Sequence, residues 1–173
     1  MPASIGGMGR LVSREGHSTM TGYTRPAKIL DLVAVSNAMR AEDAAEVMAQ
    51  SGSTPREALL FCMLNSAPCQ AMVSRNGHTI GMWGVIPEED GVGRIWMLGT
   101  DGMVDDRLDR LTFLRQSKEV LDQLQLSYPL LFNVMDARNV VHKKWLQWLG
   151  FTFIAEHSDY GPERRLFLEF VRI

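Results

Sequence analysis

Cysteine is scarce in this chain. There are two, Cys62 and Cys69, and the four histidines, His17, His78, His142 and His157, are dispersed. No group of them has the spacing of a zinc or iron site. Two thiols seven residues apart read instead as buried or half-buried side chains of a reducing compartment. An excess of charge is lacking as well. Eighteen Lys and Arg against 20 Asp and Glu leave a net charge of −2, which gives no sequence-independent pull toward nucleic acid or an anionic membrane. The short basic pairs Lys143-Lys144 and Arg164-Arg165 read as solvated surface. No apolar run approaches the roughly 18 residues that span a bilayer. No signal peptide is visible either, so synthesis in the cytoplasm is expected. No Ser-His-Asp, Cys-His or zinc arrangement is readable.

What is present is an ordinary globular composition. Of the 173 residues, 46% are apolar, enough for one domain with a substantial core. Residues 1–22 hold five glycines and no hydrophobic period. They read as an arm, flexible in isolation and able to order against a partner. Residues 23–173 form the single domain. Within it a first edge strand is expected over 23–28, then helices over about 29–39 and 42–50, the second ended by Gly52. Thr54-Pro-Arg-Glu57 is a helix start: Thr54 caps, Pro55 suits the first turn and Glu57 completes a capping box. Leu59, Leu60 and Met63 would be that helix's buried side.

Strands over 69–75 and 78–86 are predicted to form a hairpin about Asn76-Gly77, the strongest short turn signal in the chain. Gly81 and Gly84 inside the second strand suggest bulges or close approach of another backbone. Residues 87–93 read as an acidic, glycine-containing loop, 94–98 as a strand, and 105–125 as the longest helix. That helix would bury Leu108, Leu111, Leu114 or Arg115, Leu121 and Leu124. A closing hairpin is expected over 151–156 and 165–171. The second of its strands is apolar on both faces and therefore internal.

The most informative stretch runs from Leu130 to Phe153. A six-residue apolar strand leads to Asp136 or Asn139, either of which can cap the helix that follows. Val141, Trp145, Trp148 and Leu149 fall on one apolar face. Gly150 sits where a helix needs a left-handed residue to stop. This unit resembles the last segment of the GCN5-related N-acetyltransferase superfamily, in which an Asn opens the final helix and a Gly-Phe pair closes it. Asn139, Gly150 and Phe151 keep that spacing. The Tyr that often serves the superfamily as general acid, seven residues after the Asn, is Leu146 here, and the Ala three after it is His142.

Several stretches resemble, more narrowly, the internal virion proteins of short-tailed phages and their prophage relatives. They are Tyr23-Thr-Arg-Pro-Ala, Met39-Arg-Ala-Glu-Asp, Ser51-Gly, Trp96-Met-Leu-Gly-Thr-Asp101, Phe113-Leu-Arg-Gln-Ser117 and Asn139-Val-Val-His142 with Trp145-Leu. The resemblance implies a mixed α/β fold: a mostly antiparallel central sheet of about six or seven strands, flanked by about four helices. It also implies a virion or virion-assembly component made in the host cytoplasm. Other virion proteins would then bind the arm and positions such as Trp83 and Trp148. An oligomer is compatible with this reading. The alternative it leaves open is a working N-acetyltransferase that uses acetyl-CoA on a host protein or small amine.

In an active superfamily member the fourth strand splays from the fifth and pairs with the pantetheine arm of acetyl-CoA, and a Gly-rich loop at a helix N-terminus takes the diphosphate. Here the candidate cofactor residues are Leu98, Gly99, Thr100 and Gly102 in the corresponding loop, Asn133 in the splay and Asn139 at the cap. The loop carries Asp101, Asp105 and Asp106, which suit a helix cap and oppose an anion. It therefore reads as a structural turn, with no cofactor expected unless the acetyltransferase alternative holds. Glu88, Glu89 and Asp90 read as solvated acids rather than a base. His142 reads as a packed side chain at the cleft, and Asn133 as the cap of a strand mismatch. No catalytic residue is assignable and no metal is expected.

Overall fold

The computed structural model describes residues 22–173. The arm assigned to residues 1–22 lies outside them apart from Gly22. Seven strands make one sheet: β1 (Tyr23–Pro26), β2 (Cys69–Val73), β3 (Thr79–Glu89), β4 (Val92–Gly99), β5 (Leu130–Asp136), β6 (Thr152–Tyr160) and β7 (Arg165–Arg172). Their spatial order is β1-β2-β3-β4-β5-β7-β6. Every neighbouring pair is antiparallel except β4 and β5, which run parallel. The helices are α1 (Ile29–Asn37), α2 (Ala41–Ser51), α3 (Pro55–Asn65), α4 (Gly102–Asp105), α5 (Arg107–Leu124) and α6 (Val140–Trp148).

Strand alternation gives the sheet two buried faces. On one, Leu32 and Val35 of α1 and Leu59 of α3 pack on Met82 and Trp96. On the other, Leu121 and Leu124 of α5 and Leu146 and Leu149 of α6 pack on Val85, Leu131 and Phe170. β7 lies between β5 and β6, which explains why it is apolar on both faces. A polar hub joins β1, α1 and β3: Asp31 accepts from Arg25 at 2.6 and 2.8 Å, from Lys28 N–H at 2.8 Å and from the Thr79 hydroxyl at 2.7 Å. The Arg25 hydrogen bond is the main reason its carboxyl falls to about 2.

Several expectations hold in detail. Thr54 and Glu57 form the capping box of α3. Gly52 and Gly150 stop α2 and α6 with φ of +71° and +89°. Gly84 meets another backbone, since an added Cβ would lie 2.7 Å from the Pro68 carbonyl.

Others are corrected. The segment 87–93 is not a loop; β3 and β4 run on to a two-residue turn at Asp90-Gly91, with Gly91 at φ +76°. The helix expected over 105–125 is broken at Asp106. That residue leaves α4 in an extended conformation and caps α5. Along α5, Leu108 and Leu111 are exposed while Leu121 and Leu124 are buried. Leu60 also faces outward. On α6 the buried residues are Leu146 and Leu149, while Val141 and Trp148 are exposed. One face of the exposed Trp148 ring carries Lys118, whose Nζ sits 4.1 Å from the ring centroid.

The β6–β7 turn touches the end of α2, and Gly161 is the contact. At φ +68°, its added Cβ would lie 2.0 Å from the Ala49 carbonyl oxygen. Gly161→Ala is expected to cost about 3 kcal/mol, because backbone must move as well as adopt a left-handed conformation. Gly150→Ala meets nothing closer than 3.5 Å and should cost only about 1 kcal/mol. Urea denaturation of the two variants checks the difference.

Candidate active site

The parallel pairing of β4 and β5 is short. It runs from Val92–Leu130 through Arg94–Phe132 and then stops. At the stop, Asn133 takes over the ladder. Its Nδ2 donates to the Ile95 carbonyl at 2.7 Å, and its Oδ1 accepts from Val134 N–H at 2.8 Å. The carboxamide thus stands where a direct strand-to-strand bond would be. It wedges the strands apart while satisfying both backbone groups. Asn133 caps the mismatch, as its sequence position suggests.

Beyond the wedge the two strands part, and a cavity of about 500 Å³ passes through the sheet between them. On the α5–α6 side its walls include Phe113, His142 and Trp145; on the α1–α3 side they include Glu46 and Trp96. Phe113 and Trp145 touch across the α5–α6 side with ring centroids 5.4 Å apart. In the middle lies Met97. The register with β3, and the bond from Thr100 N–H to the Ile80 carbonyl, put the backbone groups of Ile95, Met97 and Gly99 on the edge facing β5. Ile95 is taken by Asn133. Gly99 is taken too: its N–H donates to Asp43 at 2.9 Å and its carbonyl accepts from Arg40 N–H at 2.9 Å. Met97 alone keeps an N–H and a carbonyl open to the cavity, with no hydrogen-bond partner among the described residues. The indole Nε1 of Trp145 is likewise buried without a partner.

The remaining candidates are structural. Leu98 turns its backbone to β3. Thr100 is buried, and both its N–H and its hydroxyl donate to Ile80 O. A side chain at Gly102 would meet Ile80 and Thr100. Asn139, not Asp136, caps α6 by accepting from His142 N–H at 3.2 Å, and its amide reaches Glu46 at 3.4 Å. Asp136 holds Arg138. Glu88 pairs with Arg94 at 2.5 Å and, like Glu89 and Asp90, does not line the cavity. Among the described residues no cluster could hold a metal, and no helix is long and apolar enough to cross a membrane.

The electrostatics single out a residue that the sequence reading passed over. Glu46 lines the cavity from α2, and burial pushes its carboxyl up to about 7. The long bond from the Asn139 amide and the Asp136 backbone oppose this shift, while the charges on Asp43 and Asp136 add to it. Its accessible surface belongs to the cleft, so partial accessibility does not restore bulk solvation. Across the cavity, burial lowers the His142 imidazole to about 4, leaving it neutral at pH 7. The ring stacks on Trp145 at 5.7 Å. The one sequence signal for Glu46 was its place beside Val47 in α2, too weak to distinguish it from a solvated acid.

Asn133→Ala is expected to cost about 1–2 kcal/mol, since the Ile95 carbonyl and the Val134 N–H lose partners together. Urea denaturation at pH 7 measures this. An unchanged midpoint would mean that cleft water replaces the amide.

Comparison of the backbone with solved structures gives consistent likenesses. A ribosomal-protein-S5-alanine acetyltransferase from Vibrio fischeri matches with a TM-score of 0.61 at 17% identity, over 88% of this chain and 92% of that one. A GCN5-related N-acetyltransferase from Kribbella flavida matches at 0.63 and 16% identity, over 88% and 97%. A spermidine N-acetyltransferase chimera from Vibrio cholerae and hSSAT matches at 0.64 and 11% identity, over 88% and 95%. No family matches on sequence, and no curated protein does either. The mixed seven-stranded sheet, the parted β4 and β5 and these neighbours together establish that the chain has the fold of the GCN5-related N-acetyltransferases.

Proposed function

We propose that the protein is an N-acyltransferase that moves an acyl group from acetyl-CoA, or another pantetheine thioester, to an amine. One observation carries the reading. The cleft between β4 and β5 joins an open backbone pair at Met97 to a carboxylate with a pKa near 7 at Glu46. The pantetheine arm of the cofactor fits this cleft. Met97 can meet its amides as a strand neighbour would, the walls are largely apolar, and Trp145 Nε1 offers an unclaimed donor. Bound there, the thioester supplies an activated acyl carbon, whose bond to sulfur breaks as the bond to the amine nitrogen forms.

The chain's own residues do the rest. Glu46 approaches from the face opposite α5 and α6 and takes the proton that the amine loses, a task suited to a group poised near neutral pH. Met97 N–H donates to an oxygen or amide in the cleft. Leu146 stands where the superfamily keeps a Tyr acid, and it is buried in the core. The departing thiolate therefore takes its proton from solvent. Two of the structural neighbours are named for amine acceptors, a ribosomal-protein alanine and spermidine, which supports an amine acceptor. The virion-component reading has only the sequence resemblance behind it, and the cleft gives the enzyme reading the better support.

Acetyl-CoA at about 100 times its dissociation constant should add about 2.7 kcal/mol of stability, a thermal shift of a few degrees. Its absence at millimolar concentration would sink the proposal. Glu46→Gln should keep that shift and abolish thiol release with an amine panel, whereas wild-type turnover rises with pH through about 7. The stability effect has the opposite sign. Folding raises the Glu46 pKa from 4.5 to about 7, so its contribution is full below pH 4.5 and falls as pH rises toward 7. Glu46→Gln should therefore be more stable than wild type at pH 8, by on the order of 1–3 kcal/mol.

A further inference from the structure

The half of the cavity on the α1–α3 side is where an acceptor would meet Glu46. α2 brings Glu46 and Val47 to it, α3 brings Ala58, Phe61 and Cys62, and β4 brings Trp96. Glu46 is the only acid among the described residues that line the cavity, and Arg94 the only Lys or Arg. The Arg94 guanidinium is already paired with Glu88 at 2.5 Å. His142, the one histidine of the wall, is held neutral at pH 7 by burial. The Cys62 thiol is neutral as well, since burial pushes it up to about 12. Trp96 Nε1 donates to the Ser66 hydroxyl at 2.8 Å, which leaves the carbon surface of the ring to the cavity. Asp43, the neighbouring acid of α2, does not line the cavity and is held by Gly99 N–H at 2.9 Å. Phe61 both lines the cavity and is 57% exposed, so its ring stands where this half meets solvent.

We infer that the acceptor is a small monoamine whose nitrogen is carried on an apolar body, an aromatic ring above all, seated between α2, α3 and Trp96. The inference rests on the acyltransferase reading and names the acceptor class. One carboxylate serves one nitrogen. As the bond from nitrogen to the acyl carbon forms and the bond from carbon to sulfur breaks, the amine proton passes to Glu46 and the thiolate takes a proton from solvent. Val47, Ala58, Phe61 and Trp96 give the rest of the molecule carbon surface, against which an apolar group gains by leaving water and a ring gains further by stacking. A second ammonium, as in a polyamine, would enter a cavity with no second carboxylate to meet it, and an unpaired charge there is costly. A carboxylate on the body would approach Glu46 itself, while Arg94 is already engaged.

The test is thiol release by the full chain with saturating acetyl-CoA at a pH about one unit above neutral. 2-Phenylethylamine, spermidine and a tetrapeptide beginning with alanine serve as separate acceptors. 2-Phenylethylamine should show a kcat/KM at least about tenfold above that of either other amine. A smaller ratio, or a preference for spermidine or the peptide, would overturn the inference and leave the acyltransferase reading standing. Thiol release with none of the three would overturn that reading, and the inference with it. Phe61→Ala truncates an exposed side chain, so the fold and the thermal shift with acetyl-CoA should be kept. The KM for 2-phenylethylamine should rise about three- to tenfold with kcat little changed. An unchanged KM would overturn the seat given to the aromatic body.

Discussion

The parting of β4 and β5 is the constraint from which the rest of the molecule follows. A parallel pair left alone would keep pairing, because each further residue satisfies two more backbone groups. Here the pairing ends after Arg94 and Phe132, and Asn133 fills the next step with its own amide. The wedge leaves no unsatisfied group at the branch point, so the divergence costs little where it starts. The far end is closed in the same way, by Asp43 and Arg40 on Gly99. Between the two seals one residue, Met97, remains open. The cleft is thus a gap in a hydrogen-bonded ladder with both ends finished, which is how a sheet can hold a slot without fraying.

The helices are arranged around that gap. α5 and α6 cover one side with core residues Leu121, Leu124, Leu146 and Leu149, and the aromatic pair Phe113 and Trp145 bridges them over the cavity. The other side is covered by α1 to α3, whose apolar contacts are fewer and whose acids reach the slot. A buried indole N–H without a partner and a carboxyl forced up to about 7 are each unfavourable for folding alone,. Both sit on the walls of one cavity, where a polar ligand would relieve them. Groups that penalise the empty state and converge on one place are the physical mark of a site.

Much of the fold could be read from the chain, because its signals are local. The Thr54–Glu57 box, the Asn76-Gly77 turn, the Gly150 stop and the two-faced β7 each follow from steric or capping rules within a few residues. The misreadings came where tertiary placement overrides period. Leu108 and Leu111 keep the spacing of a buried face, yet both stay exposed while Leu121 and Leu124 of the same helix enter the core. Val141 and Trp148 keep it on α6 yet stay exposed, while Trp145, Leu146 and Leu149 reach the core. Asp90-Gly91 was lost inside an acidic stretch, although it is itself a hairpin turn signal. The site was legible in outline, through Asn133 and the spacing of Asn139 to Gly150, but its chemistry was not. Glu46 is distant in sequence from Met97, Asn133, His142 and Trp145, which it meets at the cavity, and Met97 contributes backbone, which no side-chain pattern announces.

The division of labour between Asp43 and Glu46 shows how one helix can supply both structure and reactivity. The two lie three residues apart on α2, close enough to share a face. Burial raises the pKa of both. Asp43 receives a strong donor, Gly99 N–H at 2.9 Å, and Arg40 stands nearby; its charge is used to fix the end of β4. Glu46 receives the Asn139 amide at a longer 3.4 Å and weak help from the Asp136 backbone, and the charge on Asp43 opposes its own. The satisfied acid therefore makes the unsatisfied one harder to ionise. A carboxylate with a full set of donors is a weak base, and one with no donors stays protonated at every working pH. Weak donors beside a second acid give the intermediate case, in which a proton can be taken and released near neutrality.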